Sequence, residues 1–472
     1  MTERLVQRLA PPVGPLALLL AAGAAGVGLL AGYDPRLAVL AAFGITFVVL
    51  VLQDLTLGVC MMVMLAFVDA INVFDGALSL AKVAGILLGA SWLLAIATRP
   101  APSLMNDHPL LSYALLLFVS WTAASLLWAG DDAAVREAVI RYAPNVLFIP
   151  IVFSALRRTG DLDKVAGTLV AGALLTAVLA IAGPSSDPTL NDGRAEGLAG
   201  GANELAAALV VGVVLCVAFV LRLGHRPGLR LLMVGGAGLC MLGIFLSLSR
   251  GGLLALGAAL LTAVVVGGRW RRGMATAAVG LVAVTVVYFG LFASLPARER
   301  VLDVGNAGGT GRNDIWTIGW RMVQDEPVLG VGAGNFPLAA PAYLVRAGTF
   351  ERGDLVLIAP KVAHNTTLQV LAETGVPGAA LFVGIVGFSL LCLLSAAKRF
   401  AALGDVRHEL LTRALLVALV GYLVAAFFIS ENYSKLLWLL VALGPATLQL
   451  ARRAEAEAPA PTPTPLAASS SA

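Results

Sequence analysis

Apolar residues run in blocks along nearly the whole chain, separated by short polar breaks. A membrane-crossing helix needs about 20 mostly apolar residues. Runs of that kind fall at 14–31, 36–52, 55–74, 78–97, 109–128, 142–157, 164–183, 203–222, 229–247, 251–267, 273–293, 376–396, 411–430 and 435–451. These fourteen runs predict about twelve to fourteen transmembrane helices, because 36–52, 142–157 and 251–267 are short for a crossing. In lipid every backbone polar group needs an internal partner, and the runs are too long for barrel strands. The fold class is therefore all-α: a polytopic membrane helical bundle, with one large and partly helical loop at 294–375. Arg4 and Arg8 precede an apolar stretch as in a signal peptide, but so many spans follow that residues 1–31 read as an uncleaved first helix.

Composition agrees with that pattern. Of the 472 residues 59% are hydrophobic and 13% charged, where soluble domains carry about 25% charged residues. Mean hydropathy is +0.90. The net charge of +4 is small and its basic residues sit in interhelical loops, which speaks against nucleic acid as a partner. Cys60, Cys216, Cys240 and Cys392 each lie inside an apolar run without metal-ligand spacing, as buried free cysteines do.

Lysine and arginine in short loops set the orientation. With the N-terminus inside, the inner loops hold Arg157, Arg158 and Lys164; Arg222, Arg226 and Arg230; Arg269, Arg271 and Arg272; and Lys398, Arg399, Arg407 and Arg413. The short outer loops hold little beyond Arg36, Arg136, Arg194 and Arg250. An even span count puts both termini in the cytoplasm and the loop 294–375 outside. The chain thus divides into a transmembrane region 1–293, the outer loop 294–375, C-terminal spans 376–451, and a disordered cytoplasmic tail 452–472 rich in Ala, Pro, Thr and Ser.

A loop this long usually carries function or structure of its own. Thr310 is placed to cap a helix starting near Arg312, whose apolar face (Ile315, Trp316, Ile318, Trp320, Met322, Val323) suits the membrane interface. Pro327 ends it. The stretch Val328–Phe336 has the glycine content of a phosphate loop, but it lacks the Gly-Lys-Ser/Thr ending and reads as a flexible turn. A second helix is expected from about Asn365 to Glu373, broken by Gly375, Pro377 and Gly378 before the next span.

Four residues stand out on the outer side: Arg194, Arg250, Arg312 and His364. Arginines in short outer loops run against the positive-inside trend and ask for a partner. Arg250 lies in a tight turn, Ser247-Leu248-Ser249-Arg250-Gly251-Gly252. Snorkelling to the interface is the plain reading; the sharper one is anion binding, with guanidinium forks on phosphate oxygens and the two glycines opening backbone N–H groups to the anion. A diphosphate at the head of a lipid carrier is the natural external anion at that depth. His364 is one of four histidines; His225 and His408 fall in inner loops and His108 near an inner helix start. A lone histidine is often structural, but His364 on the outer face has the pKa of a general base for a sugar hydroxyl. The loop's carboxylates are scattered and no metal signature is visible, so the chemistry expected is metal-independent and without a cofactor.

These residues carry a resemblance. Thr310-Gly311-Arg312 with Trp316, Pro327 to Gly332 with Gly334-Asn335-Phe336, and His364-Asn365 with Leu368, Glu373-Thr374-Gly375 and Pro377-Gly378 resemble the O-antigen ligase and polymerase superfamily. Ser249-Arg250-Gly251 and the stretch Arg194, Gly197, Asn203 resemble its upstream motifs, so the likeness covers roughly 194–380. It implies a bacterial inner-membrane glycosyltransferase working on the periplasmic face. Such an enzyme moves a glycan from an undecaprenyl diphosphate carrier to an acceptor hydroxyl, on lipid A-core or another glycan, with inversion and without a metal. By the same likeness Arg250 and Arg312 bind the diphosphate, Arg194 adds a third basic contact, and His364 activates the acceptor. Polysaccharide polymerases and protein O-oligosaccharyltransferases share the pattern. From a different class, a transporter or flippase for the same lipid would line a path with ionisable residues; Asp69, Lys82 and Arg141 are the candidates, and they are few.

Overall fold

The computed structural model describes residues 15–67, 80–98, 102–183, 194–197, 200–224, 226–302, 311–344 and 361–458. Among these residues there is no strand. The N-terminal helices are α1 (Pro15–Tyr33), α2 (Pro35–Gln53), α3 (Leu55–Ala66), α4 (Leu80–Thr98), α5 (Pro109–Ala124), α6 (Asp132–Ala155) and α7 (Thr159–Ala182). They are followed by α8 (Ala202–Arg222), α9 (Pro227–Leu246), α10 (Arg250–Val266) and α11 (Arg271–Val287). Three shorter helices come next, α12 (Leu295–Leu302), α13 (Arg312–Asp325) and α14 (Phe336–Leu344). The chain closes with α15 (Thr366–Ala402), α16 (Val406–Ala426) and α17 (Lys435–Glu457). A helix thus lies on every apolar run, and the chain is an all-α, multi-pass membrane protein.

Among the described residues ten helices are long and apolar enough to cross a bilayer, fewer than the runs suggest. Two physical reasons account for α3, α10 and α17. α3 and α10 are 12 and 17 residues long, and α10 begins at a charged residue, Arg250. α17 is diluted by Pro445, Thr447 and Gln449, which it tolerates because Leu436 through Ala451 are all buried in protein rather than lipid. The short run 142–157 is the end of a longer helix. α6 starts ten residues earlier at Asp132, through a charged turn stabilised by the i,i+4 pairs Arg136–Asp132 and Arg141–Glu137. α17 continues to Glu457, into the stretch expected as tail.

α8, α15, α16 and α17 form the centre: α8 packs on α7, α9 and α16, α16 on α10 and α15, and α17 on α15 and α6. Their contact faces make the main core, with Trp438, Tyr142 and Phe118 fully buried where α5, α6 and α17 meet. α11 turns Val279, Val282 and Val286 outward, as a lipid-facing helix does.

The glycine-rich stretch is a packed clasp, not a flexible turn. Val331 N and Gly332 N donate to the carbonyls of Ala372 and Glu373 at 2.9 Å, and Val376 N donates to Pro327 O at 2.8 Å. Gly375 breaks α15 with φ 64° and ψ −173°, and a Cβ there would collide with the Val328 carbonyl, so only glycine fits. The carbonyls of Thr374 and Leu329 are taken up by the indole N–H groups of Trp121 and Trp128. Buried Glu373 accepts from Gly334 N (2.9 Å) and Gln369 (3.0 Å), which ties clasp and helix together. The break expected at Gly375 is therefore a kink that locks the outer segment onto the bundle.

Candidate active site

The end of α7, the start of α8, the end of α9, the starts of α10 and α15 and the end of α16 meet at one end of the bundle, the end that the charge pattern predicts to lie outside. The turn between α9 and α10 is built first. Ser247 Oγ donates to Ile244 O (2.6 Å), Leu248 takes φ 48°, and Ser249 caps α10 by accepting from Gly252 N (3.1 Å). Ser249 Oγ also donates to Asn203 Oδ1 (2.8 Å) at the start of α8. Arg194 binds the same two partners, with Nε on Ser247 O (2.8 Å) and Nη2 on Asn203 Oδ1 (3.0 Å). Two edges of this guanidinium are thus occupied in joining the turn to α8.

This turn sets Arg250 as the first residue of α10, with its Nε donating to Arg300 O on α12. The two following glycines do not cradle an anion. Gly251 and Gly252 are buried against Phe428 and Ala206, and the Gly252 N–H is already bound by Ser249. They are small so that α10 can approach α8 and the end of α16.

Arg312 opens α13, after Gly311 at φ 65° in place of a side-chain cap; Thr310 lies outside the described residues. The apolar side of α13 does not face lipid: Ile315, Ile318, Met322 and Val323 are buried against Phe336, Ala340, Ala363 and Ala372. Trp316 donates to Ala363 O (3.1 Å) and packs edge-on against Phe427 at 5.6 Å. Next to Ala363 stands His364, at φ 47°. Asn365 then caps α15, accepting from Leu368 N at 2.9 Å. Thr366 fastens that cap to the α16–α17 turn, donating to Ile429 O and accepting from Glu431 N, both at 2.8 Å. Leu248 and His364 are the non-glycine residues with positive φ among those described, and each borders or belongs to this site. Such backbone costs on the order of 1–3 kcal/mol and gathers where function fixes geometry.

The charges interact. Burial pushes Arg194 down to about 10, helped by the positive charges of Arg300 and Arg312. Arg312 is lowered mainly by burial, with Glu204 opposing and Arg250 and Arg300 adding to the shift. His364 is pushed down to about 4, first by burial and then by Arg312 and Lys361. Its imidazole is therefore neutral at neutral pH. All four residues singled out in the sequence come together here. Arg194, Arg250 and Arg312 have no ion pair with a carboxylate among the described residues.

Arg300 and Glu204 escaped the sequence reading. Arg300 follows the end of an outer-going span, inside Arg298-Glu299-Arg300, a short basic signal that was available. Glu204 is a single acid at a helix start, and only the fold sets it beside arginines far away in the chain. Among the described residues no group of three His, Cys, Asp or Glu side chains is close enough to hold a metal.

Comparison with known families adds one finding. Residues 235–383 match the family model described as O-antigen ligase (Wzy_C). The matched stretch runs from α9 into α15 and contains Arg250, Arg312 and His364; Arg194 lies before it. No curated protein matches the chain. The match falls on the segment that folds into the arginine–histidine site, and it supports the resemblance to the O-antigen ligase and polymerase superfamily that the motifs carry.

Proposed function

We propose that the protein is a membrane glycosyltransferase of O-antigen ligase type, which transfers a glycan from undecaprenyl diphosphate to an acceptor hydroxyl on lipid A-core or another glycan. The observation that carries this reading is a set of arginines with no carboxylate ion pair among the described residues, beside a neutral imidazole. Buried cations that repel one another want an anion, and a diphosphate supplies charge for more than one of them.

His364 takes the proton of the acceptor hydroxyl as its oxygen bonds to the anomeric carbon. The bond from that carbon to the diphosphate oxygen breaks on the opposite face, and the electron pair leaves with the diphosphate. Arg250 and Arg312 stabilise the charge gained by the leaving group. Arg194, with two edges already bound, mainly fixes the Ser247–Arg250 turn. Donor binding also tunes the base: an anion beside Arg312 offsets the charge that depresses His364, so the imidazole becomes more basic once the carrier is seated. In this reading the protein lies in the bacterial inner membrane with the site on the periplasmic face, the outer segment 294–375 carrying it, and both termini cytoplasmic.

Purified protein in detergent, supplied with undecaprenyl-diphosphate-linked glycan and candidate acceptors, tests the reading by the mass of the product. A ligase gives one glycan on lipid A-core, a polymerase lengthens the carrier-linked chain, and a protein glycosyltransferase shifts the mass of a polypeptide. A transporter gives no product in detergent and moves the lipid only across a sealed membrane. That outcome would remove the proposal.

A further inference from the structure

Beside the arginine cluster lies a polar cavity of about 240 Å³, lined by Glu204, Thr176, Tyr422, Glu431, Ser434 and Lys435, with Phe67 and Ala208 on its apolar side. It adjoins both halves of the site. Glu204 follows Asn203, which holds Arg194 and Ser249, and the charges of Arg194 and Arg312 reach it. Glu431 donates its backbone N–H to Thr366, two residues after His364. Glu431 is 8% exposed, and its carboxylate is held from one side by the Tyr422 hydroxyl, which also bonds Ser434 at 2.8 Å.

The lining selects the occupant. Two carboxylates repel a phosphate and leave it to the arginines. The polar walls do not suit a hydrocarbon chain. Lys435 counters a cation. What remains is a neutral group rich in hydroxyls, to which the carboxyl oxygens of Glu431 and Glu204 offer acceptors. The space, about 240 Å³, suits one sugar ring rather than a long glycan.

We propose that this cavity is the subsite for the sugar bonded to the diphosphate, with Glu431, fixed by Tyr422, and Glu204 accepting its hydroxyls. The inference rests on the transferase reading above and gives it a division of labour: the arginines hold the diphosphate, and the α16–α17 turn reads the first sugar. A site built to hydrogen-bond a hydroxyl discriminates strongly against a ligand that lacks it. The turn 427–434 lies beyond the matched family segment, so it is free to set which sugar is accepted.

The test is equilibrium binding to the purified full chain. The probes are bare undecaprenyl diphosphate and the same carrier bearing glucose, galactose or N-acetylglucosamine. Wild-type protein should bind at least one sugar-bearing carrier about tenfold to hundredfold more tightly than the bare carrier, the range for a hydrogen bond to a charged group. Glu431→Gln and, independently, Tyr422→Phe should bring that ratio close to one while bare-carrier affinity stays as in wild type. Arg312→Gln should weaken bare and sugar-bearing carriers alike. An unchanged ratio in both variants, a wild-type ratio near one, or loss of bare-carrier binding in both variants overturns the subsite and leaves the transferase reading standing. A wild-type protein that binds no carrier overturns the reading, and this inference with it.

Discussion

The two ends of the bundle use arginine in opposite ways. At the inner end Arg222 meets Asp163 at 2.6 Å, Arg269 and Arg413 meet Glu409 at 2.8 and 3.0 Å, and Lys164 meets Asp161 at 3.0 Å. His408 is bound there to Asp405 at 2.6 Å. Each of these charges has an opposite charge in contact, and Arg222–Asp163 and Arg269–Glu409 join different helices. At the outer end Arg194 and Arg250 donate to backbone carbonyls and an asparagine, Glu204 acts on Arg194 and Arg312 from nearby without an ion pair among the described residues, and His364 lies in the fields of Arg312 and Lys361. Paired charges latch a bundle. Charges held apart from their counter-ions raise its energy and are kept where a ligand supplies the missing charge.

The largest effect should come from removing that asymmetry. Arg250→Gln together with Arg312→Gln is expected to slow transfer by about 10²- to 10³-fold, the scale of a lost electrostatic clamp. The thermal midpoint should hold or rise, since repulsion is relieved. A fall in both activity and midpoint would make these arginines structural. The converse substitution, Asp163→Asn, strips a partner from Arg222, Arg407 and His408. It should lower unfolding stability by about 1–3 kcal/mol, as a half-buried charge loses its partner. Transfer per folded molecule should be unchanged.

A smaller, sharper effect is expected in pH. The imidazole of His364 sits near 4 against an ordinary 6.5, so the free enzyme should keep its base neutral well below the range of an exposed histidine. The acid limb of kcat/KM, which reports the free enzyme, should therefore fall near 4. Arg312→Gln removes one cause of the depression, because a nearby cation disfavours the imidazolium, and should move the limb upward toward 6.5. A limb at 6.5 in the unaltered protein would mean that His364 is neither buried from water nor near the cations when it works.

The fold was legible because hydropathy is a local property: each run fell on a helix. The errors have local causes too. The charged start of α6 looks like a loop until Asp132–Arg136 and Glu137–Arg141 are seen as helical pairs. α17 looks marginal because a helix buried in protein need not be as apolar as one facing lipid. The clasp around Gly375 was invisible, since its hydrogen bonds join residues some forty positions apart. Arg250, Arg312 and His364 could be found because charged residues are scarce in such a chain and the outer side is poor in arginine. Gly251 and Gly252 were misread as an anion cradle, when close helix packing explains them. Glu204 and Glu431 carry no signal of their own; only the meeting of α8 and the α16–α17 turn brings them to the site, whereas Arg300 had the basic stretch Arg298-Glu299-Arg300 to mark it.

The most direct measurement is single-turnover transfer by His364→Ala protein, with donor binding followed in the same sample. Donor affinity should stay within a few-fold of the unaltered protein while the rate drops by about 10²- to 10⁴-fold, the usual worth of a positioned base. Transfer at the full rate from a well-bound donor would contradict the account.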